Sequence, residues 1–222
     1  MIDYLSDPDN RAYVLQRFVE HLQICGISLG VALLIAVPLG VALSRYQHAY
    51  GPVMGVLGAI YTIPSIALFG LLLPFFGANQ TSAIIALVIY AQFILVRNIV
   101  TGLRGVDPTI IEAARGMGMS PLQILGRVEL PLALPVIVAG LRIATVTTIA
   151  VATVATYISA GGLGDVLADG IQKIQSLASA EIEAGALALA ILAIAADLIL
   201  RAVEYAAGRA AGRPSRASAL SR

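Results

Sequence analysis

The chain contains no tryptophan, a single cysteine (Cys25) and few charges: 27 of its 222 residues are Lys, Arg, Asp or Glu. That is about half the roughly 25% of a soluble domain. One thiol excludes a disulfide-stapled secreted scaffold, and a net charge of +1 excludes a nucleic-acid binder that relies on excess positive charge. The apolar content also excludes a disordered chain. With 59% hydrophobic residues and a mean hydropathy of +0.89, the composition is that of a membrane protein. Its length suits one domain, with the bilayer accommodating the apolar surface. Cys25 lies inside an apolar run and reads as a packed or lipid-facing thiol.

A transmembrane helix needs about 20 predominantly apolar residues. The first such run is Leu22 to Leu43. From Tyr46 to Val96 the chain carries no Asp, Glu, Lys or Arg, a stretch too long for one crossing and interrupted by the turn residues Gly77-Ala78-Asn79-Gln80. Two spans follow, roughly 53–76 and 81–97. A fourth starts near Pro131 or Pro135 and runs to about Ser159, and a fifth occupies 184–205. The expected fold is therefore all-α with about five transmembrane helices. Residues 1–21 form an N-terminal segment, 22–205 the membrane domain and 206–222 a flexible basic tail.

The N-terminus (Asp3, Asp7, Asp9) is acidic where a signal peptide is basic, so the first apolar run is expected to remain as a helix. Ten basic residues (Arg45, Arg97, Arg104, Arg115, Arg127, Arg201, Arg209, Arg213, Arg216, Arg222) fall on one side of a five-span topology. Arg11, Arg17 and Lys173 fall on the other. The positive-inside rule then puts the N-terminus outside and the C-terminus in the cytoplasm. Arg142 falls within the fourth run. It reads either as a cation near the inner interface, snorkelling or held by a carbonyl, or as a fixed charge beside a pathway. Asp197 and Arg201, four apart, read as a helix-face pair.

The loop between spans three and four (98–131) reads as two short helices. Asp107 is an N-cap with Pro108 at the first helical position, Gly116 and Gly118 end that helix, and Ser120 with Gln123 has capping-box spacing. A helix so delimited in a cytoplasmic loop is a small rigid knob, or an interfacial helix lying on the membrane.

The pattern Glu112-Ala113-Ala114, three residues, Gly118, nine residues, Val128-Glu129-Leu130-Pro131 resembles the EAA signature of permeases of binding-protein-dependent ABC importers. Val128 stands where the signature usually has Ile. The resemblance covers roughly 20–205. It implies a type I, methionine-permease-like fold in which this loop is a coupling helix docked on a separate ATPase subunit. Glu112, Ala113, Ala114, Gly118, Leu130 and Pro131 would then serve ATPase coupling. It also implies an extracytoplasmic binding protein, a second permease copy or homologue, and ATP with Mg on the partner, with no cofactor in this chain. The bacterial cytoplasmic (inner) membrane is the expected location. Tyr61-Thr62-Ile63-Pro64-Ser65-Ile66-Ala67-Leu68 and Ala160-Gly161-Gly162-Leu163-Gly164 resemble permeases importing glycine betaine, carnitine and choline. The second stretch also occurs in methionine permeases, so methionine or another amino acid-like solute is the alternative substrate.

Pro64 inside an apolar run frees a carbonyl and predicts a kink or gate, with Tyr61, Thr62 and Ser65 beside it. Thr145, Thr148 and Thr156 in span four either line a pathway or pack helices. A quaternary ammonium is read by aromatic faces, and their scarcity here suggests that selectivity rests mainly in a binding protein. Membrane enzymes are disfavoured, because His21 and His48 have no partner spacing and neither a His-Glu-x-x-His pattern nor a nucleophile elbow occurs. No phosphate-binding Gly-x-x-x-x-Gly-Lys-Ser/Thr loop occurs either. A passive channel gives no reason for the capped loop.

Overall fold

The computed structural model describes residues 2–173 and 179–210, and the basic tail beyond Ala210 lies outside the described residues. A short helix α1 (Ile2–Ser6) leads into α2 (Pro8–Arg45), α3 (Gln47–Tyr61), α4 (Ser65–Phe76) and α5 (Gln80–Arg104). Next come α6 (Pro108–Gly116), α7 (Pro121–Ile124), a π-turn over Leu125–Glu129, α8 (Leu130–Ala152) and a 3-10 turn over Thr153–Ile158. The last helices are α9 (Leu163–Gln172) and α10 (Ser179–Ala210). Four helical rods are long and apolar enough to cross a membrane, and α3 with α4 makes a fifth crossing if that bent pair is one span.

The first helix starts well before the apolar run. Asp7 caps it, accepting from the Asp9 amide at 2.9 Å, and Pro8 follows in the first turn. Charge at Asp9, Arg11, Arg17 and Glu20 limits where lipid can reach without limiting the helix. Residues 8–21 therefore continue the first span as one rod.

The second span is opened at Pro64, where a kink or gate is expected, and sharply so: its two halves meet at 94°. Pro64 has no N–H to donate and pushes Ile63 out of helical geometry. The Tyr90 hydroxyl donates to the freed Ile63 carbonyl, and the Thr62 hydroxyl bonds Ala59 O at 2.7 Å. Gly77 at φ 78° ends α4, and Asn79 caps α5 through the Thr81 and Ser82 amides.

The helix that carries the fourth span begins before Pro131 and Pro135, and α7 runs into it without a break. One rod runs from Pro121 to Ile158. The Pro131 ring would clash with the carbonyl four residues earlier in a regular helix. The π-turn just before it, closed by the Leu130 amide on Leu125 O, widens the backbone there. The helix that carries the fifth span extends beyond 184–205 at both ends, and α9 is additional. Leu163, Val166 and Gly170 of α9 are buried at helical spacing.

The central core joins α2, α5 and α8, whose buried positions hold many small residues: Ala32, Ala36, Ala91, Ala133 and Ala144. Gly40 and Gly140 let the backbones approach so closely that an added Cβ would lie 2.5 Å from Ile99 Cγ2 and 2.3 Å from Asn98 Cβ, respectively. Close approach through small residues is how helices pack in lipid, where no hydrophobic force drives them together.

Candidate functional site

The knob is built as its capping residues predict. The Asp107 carboxylate accepts from the Thr109 amide at 2.8 Å and from the Thr109 hydroxyl at 2.8 Å. Those donors hold its pKa below the ordinary aspartate value, so the cap stays charged at neutral pH. Met117 closes α6, and Gly118 at φ 81° turns the chain. Ser120 and Gln123 complete a capping box, with Ser120 N–H donating to Gln123 Oε1 at 2.8 Å and Gln123 N–H to Ser120 Oγ at 3.4 Å. Glu112, Ala113 and Gly118 are exposed, as are the apolar side chains of Ile110, Met117 (75%) and Leu122 (80%). Ala114 is buried, and Leu130 packs against the central core. Of the expected coupling residues, these two face inward, while Pro131 is exposed.

The knob packs on the π-turn. There Glu129 is 2% exposed, with both carboxylate oxygens held by Arg45 from the end of α2, one at 2.9 Å and the other closer still. The residues alone suggest no such pair. The available signal is a carboxylate between apolar neighbours in Val128-Glu129-Leu130-Pro131, answered by the one Arg that ends the first apolar run. Nearby, Arg104 donates to Leu43 O at 2.8 Å and lies over the Tyr50 ring at 4.7 Å. Two arginines thus tie α2 to α5 and to the fourth span at one level.

At the break in the second span, Tyr61 stacks on Phe93 at 5.1 Å and meets Tyr90 edge-on at 5.8 Å. Thr62 and Pro64 are exposed, Ser65 half-buried. Thr145 and Thr148 are buried within the subunit, and the Thr145 hydroxyl is spent on Leu141 O at 2.8 Å. Their burial favours packing over a pathway.

Thr156 belongs to a polar network at the opposite end of the rods. Its hydroxyl donates to Asp165 Oδ1 at 2.5 Å, and Asp165 pairs with Arg17 at 3.1 Å. Arg17 also holds Glu20 at 2.7 Å, and Glu20 accepts from the Gly162 amide at 3.2 Å. An open cavity of about 560 Å³ lies among these groups. The Gly161-Gly162-Leu163-Gly164 turn is needed for fit: an added Cβ at Gly164 would come within 2.2 Å of Thr153 O.

Arg142 lies well inside its rod. The rod begins at Pro121, which puts Arg142 thirteen residues, about 20 Å, beyond Glu129. Its partners are carboxylates of α10, Asp197 at 3.5 Å and Glu204 at 3.6 Å, rather than a carbonyl. The expected Asp197–Arg201 pair is present at 3.1 Å. Among the described residues, no group of three or more His, Cys, Asp and Glu side chains could hold a metal ion.

The family model "Binding-protein-dependent transport system inner membrane component" matches residues 31–209. The chain belongs to this family. It is 39% identical over 195 residues to the choline transport system permease protein OpuBB of Bacillus subtilis, covering 88% of each chain. It is 37% identical to the carnitine transport permease protein OpuCD of Listeria monocytogenes, covering 92% of this chain and 90% of the relative. It is 40% identical to the osmoprotectant import permease protein OsmW of Salmonella typhimurium, covering 88% and 92%. Among solved structures, the inward-facing MetNI methionine ABC transporter superposes with a TM-score of 0.80 at 24% identity, over 90% of this chain and 99% of that one. That likeness shows the type I permease fold alone. The protein is thus an inner-membrane permease, a class that is not itself catalytic.

Proposed function

We propose that this chain is the membrane-spanning subunit of an ATP-driven importer for quaternary-amine osmoprotectants: glycine betaine, choline or carnitine. Two copies, or one copy with a homologous permease, enclose the passage. Two separate ATPase subunits bind ATP and Mg beneath them, and an extracytoplasmic binding protein delivers solute from above. The N-terminus lies outside and the C-terminus in the cytoplasm, so the knob, Arg45 and Glu129 face the cytoplasm.

The observation that carries the coupling role is the knob itself. A helix capped at both ends holds its shape under load, and exposed Ile110, Met117 and Leu122 offer apolar contact beside the exposed Glu112 carboxylate and Arg115 guanidinium. Glu112, Ala113 and Gly118 lie at that surface, and Pro131 is exposed farther along the rod. Ala114 and Leu130 seat the knob on the rod below. Closure of the ATPase pair pushes the knob, the rods turn the passage outward to receive solute, and hydrolysis resets it inward. The break at Tyr61, Thr62, Pro64 and Ser65 is the proposed gate, with its two halves hinged at Ile63. The names of the similar permeases support the substrate class.

ATP hydrolysis by the permease, ATPase and binding protein reconstituted in lipid tests this. Stimulation by glycine betaine, choline or carnitine is the expected result. Stimulation by methionine alone would overturn the substrate and keep the coupling mechanism.

A further inference from the structure

The charges between the fourth and fifth spans play no part in the coupling just described. Arg142 lies about 20 Å along its rod from Glu129 and about 20 Å from Thr156, halfway between the polar layers at the two ends. Arg142 meets Asp197 and Glu204 in the C-terminal half of α10, and with Arg201 the four side chains sum to zero charge. A charged group at this depth faces protein or a water-filled cavity rather than acyl chains. Arg201 is nonetheless 62% exposed on the isolated subunit, and Ile143, Val146, Ile194 and Leu198 beside it are exposed too. Such a face is covered by another subunit or by water rather than by acyl chains.

Two hollows adjoin there and share Val146 and Asp197. One of about 260 Å³ is walled by Arg142, Ile143, Val146 and Thr147, the other of about 340 Å³ by Ala193, Ile194, Leu198 and Arg201. Each has room for several waters at about 30 Å³ apiece. Each sets aliphatic walls around one carboxylate. No aromatic face lines either hollow, so a quaternary ammonium, which donates no hydrogen bond, would be met here by weaker methyl contact with the aliphatic walls and by the negative charge of Asp197. At 3.5 and 3.6 Å, the two pairs of Arg142 exceed hydrogen-bond length. Its guanidinium is held by charge alone, and its planar fork is free to take a carboxylate in bidentate fashion.

We propose that Asp197 and Arg142 form a mid-membrane station for a zwitterionic quaternary ammonium, Asp197 facing the cationic head and Arg142 the carboxylate. The station rests on the osmoprotectant reading above. While solute is bound, it substitutes for the loose Arg142–Asp197 pair. When it leaves, the pair re-forms and no charge is left unpartnered.

The test is uptake of labelled glycine betaine, carnitine and choline by the complete importer in vesicles. Arg142→Gln is expected to slow the two carboxylated solutes at least tenfold more than choline, which has no carboxylate. Equal loss for all three would overturn the station. The double variant Arg142→Met with Asp197→Leu replaces the pair by apolar side chains of similar length and leaves Arg201 and Glu204, three apart, to pair together. A clamp between helices tolerates such a replacement. The station predicts wild-type thermal stability with uptake at least tenfold down, whereas stability and uptake both at wild-type levels would overturn it. Wild-type importer answering to none of the three solutes would overturn the osmoprotectant reading together with the station. Wild type that responds while Arg142→Gln costs every solute equally overturns the station alone.

Discussion

Replacing Arg45 by Met should be among the most damaging single changes in the chain, although its own side chain is 45% exposed. Its importance comes from Glu129, which is 2% exposed and has both oxygens committed to Arg45. Removing one partner of a buried ion pair leaves the other charge desolvated, at a cost of about 3–5 kcal/mol. Water reaches the Arg45 side of this pair, which puts the expected loss at about 3 kcal/mol. At about 2–4 °C per kcal/mol for a chain of this size, the thermal midpoint of the purified permease should fall by about 6–12 °C. Adding Glu129→Met to Arg45→Met removes the orphaned charge, so the double variant should regain most of that loss. A midpoint shift below about 2 °C for Arg45→Met, or a double variant as unstable as the two single losses combined, would refute the account of Glu129 as a buried charge kept in place by one arginine.

Gly140→Ala should cost about 1–3 kcal/mol by overpacking, since its Cβ would fall 2.3 Å from Asn98 Cβ; Gly30→Ala, with open space around it, is the control and should leave the melting curve in place. Glu112→Lys should abolish uptake and weaken co-purification with the ATPase while insertion remains normal, and normal uptake would remove the case for the coupling knob. Thr145→Val with Thr148→Val should leave uptake within about twofold, because both side chains are buried and the Thr145 hydroxyl only bonds its own helix; markedly slower uptake would reinstate a pathway role.

What could be read from the residues was local. Asp107 with Pro108, Ser120 with Gln123 and Gly77 with Asn79 are chemical signals spanning four residues or fewer, and each produced its turn or cap. The spans were legible because lipid demands apolar runs of a set length. What escaped was set by partners far along the chain. Pro64 announces a lost hydrogen bond, but neither the 94° angle nor the Tyr90 hydroxyl on the Ile63 carbonyl, 27 residues beyond Ile63, is announced with it. Asp197 was matched to Arg201 one turn away, and nothing in the spacing announces that the same carboxylate also serves Arg142 on another helix. The helix continuing through Pro131 was hidden because a π-turn has no composition of its own; it shows only in the Leu130 amide reaching Leu125 O.

These distant contacts gather on one rod. The helix from Pro121 to Ile158 is about 57 Å long at 1.5 Å per residue, and four residues, 117–120, separate it from the knob. Near its lower end Glu129 is pinned to α2 by Arg45, at its middle Arg142 is held to α10 by two loose ion pairs, and near its upper end Thr156 is tied to Asp165. A push on the knob therefore reaches the rod beside its most tightly gripped point. The lower pair acts as a fulcrum: it is buried and bidentate, so the rod turns about it more readily than it slides past it. Displacement grows with distance from a fulcrum, and the middle attachment is the weaker one, too long for hydrogen bonds. With the knob as the proposed ATPase contact, motion starting there should open the rod away from α10 at Arg142 and Asp197 before it disturbs the end at Glu129.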